Sequence, residues 1–179
     1  MKDEVLIQKA KILRESQFFI REDDHPLSDK QLIFLVLSGQ KLVAEVTSGH
    51  KVKTGDGWHM EPDDPSEVEN FLKELGLVYH LHVDDIAVDA TIAIEESTLN
   101  QFLQTDEDKQ LGLLFGYPAT AVEAYLDGER LPEERVDELL AEASIPWWLC
   151  NFVLSKDNYR EELEVVKRWQ ATLVEYGLI

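Results

Sequence analysis

The chain has 179 residues, 44% of them hydrophobic, and it carries 17 basic against 36 acidic side chains, for a formal net charge of −19. This length suits a single globular domain over 1–179, with enough apolar residues to build a core. The acidic excess argues against a general nucleic-acid or anionic-membrane surface, because both are bound through basic residues.

The charge is concentrated in the middle of the chain. Residues 1–53 carry 9 basic and 8 acidic side chains, residues 54–150 carry 4 and 23, and residues 151–179 carry 4 and 5. The middle segment therefore holds a net charge of −19, while the two flanks cancel each other. Either this segment is a solvated face that aids solubility, or it is a surface for a basic partner or a mimic of nucleic acid.

Three features of the sequence bear on the compartment. The opening Met1-Lys2-Asp3-Glu4 introduces acidic residues too early for an ordinary secretion signal. The longest apolar run, Leu32–Leu37, has six residues, whereas a membrane span needs about 20. Cys150 is the only cysteine, and its place after two tryptophans is typical of a buried thiol in a reducing compartment. We therefore expect a cytoplasmic protein without a membrane segment.

The N-terminal part contains one clear helix and one ambiguous segment. Asp3 can cap a helix over 3–15. The segment 28–39 opens with the capping-box spacing Ser28-Asp29-Lys30-Gln31, which favours a helix. Its apolar run is short, however, and it is followed by a glycine-containing loop and by 42–47, which is rich in β-branched residues. The interpretation that we favour is a hairpin of two strands.

The next part of the sequence predicts a loop, a helix and two strands. Residues 48–65 are rich in glycine, proline and charged side chains, which predicts a loop. Asp64-Pro65 then begins a helix that Gly76 ends. The segments 77–83 and 87–94 alternate apolar and polar residues, which predicts two neighbouring strands of one sheet.

From residue 97 onward the apolar spacing is helical. We predict helices at 97–104, 107–115, 118–127, 132–143 and 157–176, with 148–154 as a return to the sheet. The expected fold is therefore α+β, with a mixed or antiparallel sheet of four to six strands, packed helices and a helical C-terminal half. Its sheet-rich part is 1–96 and its mainly helical part is 97–179.

A first candidate site lies on the strand 77–83. His80, His82 and Asp84 share one face of that strand, with about 6.6 Å between successive same-face residues, so that they can reach one metal ion. The string Tyr79–Asp85 resembles the His-x-His-x-Asp-His motif of the metallo-β-lactamase fold and the His-x-His strand of amidohydrolases, and this resemblance implies a divalent metal. Asp85 stands where the first motif has histidine, and no histidine follows His82, so neither family is assigned to the whole chain.

The alternatives at this strand remain open. His50, His59 or an acidic residue could complete a lesser metal site with His80 and His82. Otherwise the two histidines lie on the solvent face of a half-buried sheet, or line a groove without a metal. No catalytic residue is assigned, and no cofactor is expected apart from this metal.

A second candidate site has the spacing of a helix-turn-helix. Gly112, the turn glycine Gly116 and Val122 lie four and six residues apart, and a Gly-x-Arg-x-Pro stretch follows at 128–132. This segment, within 107–143, resembles the DNA-binding domains of Cro and phage repressors, and the resemblance implies a recognition helix at 118–125. That helix lacks Lys, Arg, Asn and Gln, and residues 106–143 hold 3 basic and 11 acidic side chains. Helix packing therefore explains the spacing better than DNA binding.

These observations favour a non-enzymatic interaction or regulatory module for a basic partner protein. The first alternative is a metal-dependent enzyme centred on His80, His82 and Asp84. The second is a divergent helix-turn-helix regulator, although the charge makes nucleic acid an unfavourable partner. The sequence leaves the substrate, the identity of any partner and the oligomeric state open.

Overall fold

The fold is known from a computed structural model, which describes residues 3–19, 28–55 and 57–179. Within these ranges the chain forms eight α-helices, a short 3-10 helix and four β-strands. In chain order they are α1 Glu4–Glu15, α2 Asp29–Leu37, β1 Val43–Thr54, β2 Gly57–Pro62, α3 Pro65–Glu74, β3 Val78–Val83, β4 Val88–Ala93, α4 Glu96–Gln104, α5 Asp108–Leu114, α6 Ala119–Asp127, α7 Glu133–Glu142, the 3-10 helix Trp147–Leu149, and α8 Tyr159–Glu175.

The four strands form one antiparallel sheet in the order β2-β1-β4-β3. This confirms the expected α+β class and its helical C-terminal half. The register of β1, β4 and β3 places polar residues side by side on one face of the sheet, because residues that lie opposite each other point the same way. They form two cross-strand rows, Glu45–Thr91–His80 and Thr47–Asp89–His82.

The opposite face of the sheet packs into the main core. Val46, Ala90 and Ile92 point into this core, together with buried residues of α1, α2, α3 and α8. A smaller cluster covers one end of the polar face, where α4 and α5 pack on Val43 and Ala93. The rest of that face, with its two polar rows, is left open to a cavity.

The favoured hairpin interpretation of 28–39 is wrong, because most of this segment forms the helix α2. Ser28 accepts a hydrogen bond from the backbone N–H of Gln31, and the Gln31 side chain accepts one from the N–H of Ser28, so the capping box is complete. All residues of Leu32–Leu37 are buried. A helix that is buried all round has no polar face, and its short apolar run therefore looks like a strand.

Two further predictions fail further along the chain. The expected loop 48–65 is mostly a hairpin, in which β1 continues to Thr54 and pairs with β2. The segment 148–154 does not return to the sheet. It continues from the 3-10 helix as irregular chain, and a single bridge links Arg130 to Ser155 nearby.

The other elements confirm their predictions to within a few residues. The Asp3 side chain accepts a hydrogen bond from the N–H of Val5 at the start of α1, and Asp64 does the same for Ser66 at the start of α3. The strands near 77–83 and 87–94 are β3 and β4. In the part of the chain that the structure describes, no helix combines the length and the apolar character that crossing a bilayer requires.

Candidate functional site

A cavity of about 570 Å³ lies over the open part of the polar sheet face. Its floor is formed by the two cross-strand rows, and Lys41, Phe115, Tyr117 and Asn151 form its wall. We call it the sheet cavity. A concave site that brings several polar groups together on a rigid sheet is the usual setting for binding a small molecule.

Lys41 is the most unusual residue of the sheet cavity. It is only 2% exposed, and its Nζ donates a hydrogen bond of 2.9 Å to the backbone carbonyl oxygen of Phe115. The same nitrogen lies 4.2 Å from the ring centre of Trp169 and 4.7 Å from that of Tyr117. Burial lowers the pKa of Lys41 to about 7, because an ammonium ion loses hydration that its surroundings replace only in part.

Gly116 explains why Phe115 can meet Lys41. Its φ is +79°, and a Cβ on it would lie 2.9 Å from the carbonyl oxygen of Gln40 and 3.1 Å from the Cα of Lys41. Only glycine combines this conformation with such a close approach to a neighbouring backbone. The turn between α5 and α6 therefore lies directly against residues 40–41 and turns the Phe115 carbonyl toward the lysine.

The acidic side of the sheet cavity contains coupled titratable groups. Burial, and then the nearby charge of Asp89, raise the pKa of Glu45. Burial, and then the charge of Glu45, raise the pKa of Tyr117. The Thr47 hydroxyl donates a hydrogen bond of 2.7 Å to Asp89. Glu45 therefore holds its proton to a higher pH than an ordinary glutamate does.

The predicted metal-binding residues are only partly brought together. His80 and His82 are exposed and line the sheet cavity. Asp84 instead closes the turn between β3 and β4, where its carboxylate accepts hydrogen bonds of 2.8 Å from the N–H groups of Ile86 and Ala87. These bonds lower the pKa of Asp84. The acid opposite His82 in the sheet is Asp89.

His50 and His59 have contacts of their own. His50 Nδ1 lies 2.9 Å from Asp63, and His59 Nε2 lies 3.4 Å from Glu61. Over 3–19, 28–55 and 57–179, no three histidine, cysteine or acidic side chains are grouped so that they could hold a metal ion. The metal-dependent alternative therefore stays a prediction.

A second concave surface lies on the helical part of the chain. It is a groove of about 320 Å³ between α5, α6 and the segment 151–153, which we call the α5–α6 groove. Its lining is mainly apolar and comprises Asp108, Leu111, Gly112, Phe115, Tyr117, Ala121, Val122, Tyr125, Asn151, Phe152 and Val153. Tyr125 is 57% exposed at this surface. Such a patch among polar residues is typical of a docking surface.

Beneath this groove, α5 and α6 pack closely against each other at Gly112 and Val122. A Cβ on Gly112 would lie 2.8 Å from a Val122 methyl carbon, so the absence of a side chain lets α5 and α6 meet. Lys109 on α5 also pairs with Glu123 on α6 at 3.0 Å. These contacts are those of helix packing, and they are equally compatible with a helical pair that binds no DNA.

The surface around the groove is strongly acidic. All eleven acidic residues of 106–142 are exposed, against three basic residues, Lys109, Arg130 and Arg135, which gives a net charge of −8. Lys109 and Arg135 already pair with neighbouring glutamates. Most of the negative charge therefore faces solvent, available to a basic partner.

Asn151 lies where the two surfaces meet, and Cys150 precedes it in the chain. The Asn151 side-chain oxygen is buried and has no hydrogen-bond partner among the described residues, and this residue lines both the sheet cavity and the groove. Burial raises the pKa of the Cys150 thiol to about 11. A thiol held in this protonated form is not an activated nucleophile.

No protein-family model matches the chain, and no curated protein or solved structure is significantly similar to it. The description of this protein therefore rests on its own fold and surfaces. It is an α+β protein with a polar cavity on an antiparallel sheet and an apolar groove within an acidic helical surface.

Sequence reasoning missed Lys41, Glu45, Tyr117 and Asn151 as site residues. The one available signal was a lysine and a glutamate within the mainly apolar stretch from residue 32 to residue 46. Charged residues within such an apolar stretch are uncommon, and a buried one such as Lys41 is often functional. Nothing local in the sequence joins them to Tyr117 and Asn151, which lie more than 70 positions away.

Proposed function

We propose that this protein is a non-enzymatic interaction module that binds a basic amphipathic segment of a partner protein in the α5–α6 groove. The observation that carries the proposal is the coincidence of an apolar groove with an exposed surface of net charge −8. An amphipathic helix places its apolar side chains in such a groove, and lysines or arginines on its flanks meet the surrounding carboxylates.

The same observation separates this proposal from DNA binding. The acidic side chains that surround the groove would repel phosphates at each contact, whereas they attract lysine and arginine. The close packing of Gly112 on Val122 gives the α5–α6 pair a fixed shape, which is what a groove for a helical ligand requires.

The test is a titration of ¹⁵N-labelled protein with a synthetic amphipathic helix made of leucine and lysine. We expect amide shifts to change in α5, α6 and 151–153. We also expect binding to weaken between 0.1 M and 1 M salt, over which the Debye length falls from about 10 Å to about 3 Å. The comparison peptide has glutamate in place of each lysine and should not bind.

Two matched variants locate the binding surface. Tyr125→Ala removes an exposed aromatic side chain at the groove, and Trp58→Ala removes one on β2; the two residues are 57% and 68% exposed. Tyr125→Ala should lower the affinity for the lysine peptide at least fivefold, and Trp58→Ala should leave this affinity unchanged. Shifts spread over the sheet, or equal binding of the glutamate peptide, would overturn the proposal.

A further inference from the structure

The sheet cavity is another concave surface, which shares Phe115, Tyr117 and Asn151 with the groove but has its own polar floor. We propose that Lys41 reacts with a small, uncharged, hydroxylated aldehyde or ketone in the sheet cavity and forms an imine with it. The proposal stands on the position of one buried primary amine beside a polar cavity, and its failure would leave the proposed partner binding untouched.

Within the described part of the chain, Lys41 is buried without a carboxylate counterion. Among the described residues, no carboxylate lies within ion-pair distance of Nζ, although both Glu45 and Asp89 line the same cavity. The nitrogen has one hydrogen-bond acceptor, the Phe115 carbonyl at 2.9 Å. Its pKa of about 7 leaves a large neutral fraction at neutral pH, and a desolvated neutral lysine is a nucleophile toward carbonyl carbon.

The reaction balances without a further reagent. The Nζ lone pair attacks the carbonyl carbon, a C–N bond forms, and the electron pair of the C=O bond moves to oxygen, which takes up a proton. Loss of that hydroxyl group as water, with one proton from nitrogen, gives the imine. The Glu45 carboxyl group lies on the cavity floor, and its pKa is raised; it relays this proton, because it gives one proton to the leaving hydroxyl group and takes up the one that nitrogen releases.

The cavity also selects among carbonyl compounds. Asp89 lines the cavity and repels a carboxylate, so that α-keto acids are disfavoured. Thr47 and Thr91 present hydroxyl groups on the floor. The buried Asn151 oxygen has no partner among the described residues, and it can accept a hydrogen bond from a ligand. These groups fit the hydroxyl groups of a short sugar-like molecule.

The experiment is reductive trapping on the wild-type protein. Native protein is incubated at pH 7 with glyceraldehyde and sodium cyanoborohydride, which reduces an imine to a stable secondary amine, and peptide mass spectrometry then measures the modified fraction at each lysine. An ordinary lysine with a pKa of about 10.4 is less than about 0.1% neutral at pH 7. We expect Lys41 to be labelled at least tenfold faster than the exposed Lys109 and Lys167.

Two comparisons complete the test. Pyruvate in place of glyceraldehyde should label Lys41 at least fivefold more slowly. Glu45→Gln should lower labelling of Lys41 by glyceraldehyde at least fivefold, whereas Glu133→Gln, which removes the same charge from exposed α7, should leave it unchanged. Lys41 that stays unlabelled in wild-type protein while Lys109 and Lys167 react would overturn the proposal, and so would equal labelling at all three. The internal comparison needs no variant at Lys41 itself.

Discussion

The side-chain nitrogen of Lys41 donates a hydrogen bond of 2.9 Å to the backbone carbonyl oxygen of Phe115, the C-cap residue of α5. The last carbonyl groups of a helix have no partner within the helix, and a lysine is a suitable donor for them. This contact joins residue 41, next to the sheet, to the helical part of the chain. It also fixes the lysine at the wall of the sheet cavity.

Replacing Lys41 by methionine should change how stability depends on pH. The pKa of Lys41 is about 7 in the folded protein and about 10.4 in the unfolded chain. Between these values the unfolded chain binds a proton that the folded protein has lost, so raising the pH favours folding. Below pH 7 both states are protonated, and the unfavourable contribution of Lys41 is then constant and largest.

The measurable quantity is the difference in unfolding free energy between wild type and Lys41→Met. We expect it to rise in favour of wild type by about 2 kcal/mol from pH 7 to pH 9, as measured by urea unfolding. The control Lys109→Met removes an exposed lysine and should show no such trend. A difference for Lys41→Met that is constant over this range would contradict the prediction.

The joint between α5 and α6 should behave as a coupled pair. A Cβ on Gly112 would lie 2.8 Å and 3.3 Å from the two Val122 methyl carbons. Gly112→Ala should therefore destabilise the protein by about 1–2 kcal/mol, since overpacking outweighs the better helix propensity of alanine. Val122→Ala alone should cost about 1–3 kcal/mol through lost burial.

The double variant Gly112→Ala/Val122→Ala is the informative one. Removing the valine methyls makes room for the new alanine, so we expect the pair to cost at least about 1 kcal/mol less than the sum of the single variants. The reference pair is Gly112→Ala with Leu139→Ala on α7, which should be additive. Additivity of the first pair in urea unfolding would mean that the two side chains do not compete for one space.

This joint also shows what the sequence can predict. Gly112, Gly116 and Val122 lie within eleven residues. A small residue, a turn glycine and an aliphatic residue at this spacing suit two helices joined by a short turn, and this can be recognised from local sequence alone. The helices from α4 onward and the strands β3 and β4 were also predictable from local sequence, because their apolar residues repeat with the period of a helix or of a strand. Segment 28–39 was misjudged because a fully buried helix lacks the alternation of faces by which a short helix is recognised.

The sheet cavity could not be predicted in this way. Glu45, Thr91 and His80 share a row only because of the register of three strands, and the sequence does not fix that register. Lys41 meets Phe115 because Gly116 packs on the backbone of Gln40, which is a tertiary contact. The prediction at His80, His82 and Asp84 assumed a strand that continued through residue 84, where the chain already turns.

Glu162 should be a strong determinant of stability. This glutamate on α8 is 1% exposed, and it accepts hydrogen bonds of 2.7 Å from both the Thr120 hydroxyl and the Ser155 N–H. Glu162→Ala leaves the N–H of buried Ser155 without its acceptor, and we expect a loss of about 2–4 kcal/mol.

Glu162→Gln separates hydrogen bonding from packing at the same position. The amide oxygen can still accept from Ser155, and its NH₂ group can donate to the Thr120 hydroxyl, which then acts as acceptor. We expect this variant to lose at most about half of the stability that Glu162→Ala loses in urea unfolding. Equal losses of stability in the two variants would show that hydrogen bonds from a neutral amide do not replace those of the Glu162 carboxylate.

Cys150 should react slowly with alkylating reagents in the folded protein. Burial raises the pKa of its thiol to about 11, and the sulfur donates a hydrogen bond of 3.5 Å to the carbonyl oxygen of Phe152. At pH 8 such a thiol is about 0.1% thiolate, whereas an ordinary cysteine with a pKa of about 8.5 is about one quarter thiolate. Alkylation by iodoacetamide should therefore be at least about 100-fold slower in native protein than in urea.

The pH dependence of this rate distinguishes a raised pKa from simple blocking of access. As Cys150 is the only cysteine, the total rate of thiol loss reports on it alone. In native protein the rate should rise about tenfold per pH unit between pH 8 and pH 10, because the thiolate fraction is still small throughout this range. In urea it should level off above about pH 9. A slow native rate that does not change with pH would show that burial blocks the reagent without raising the pKa.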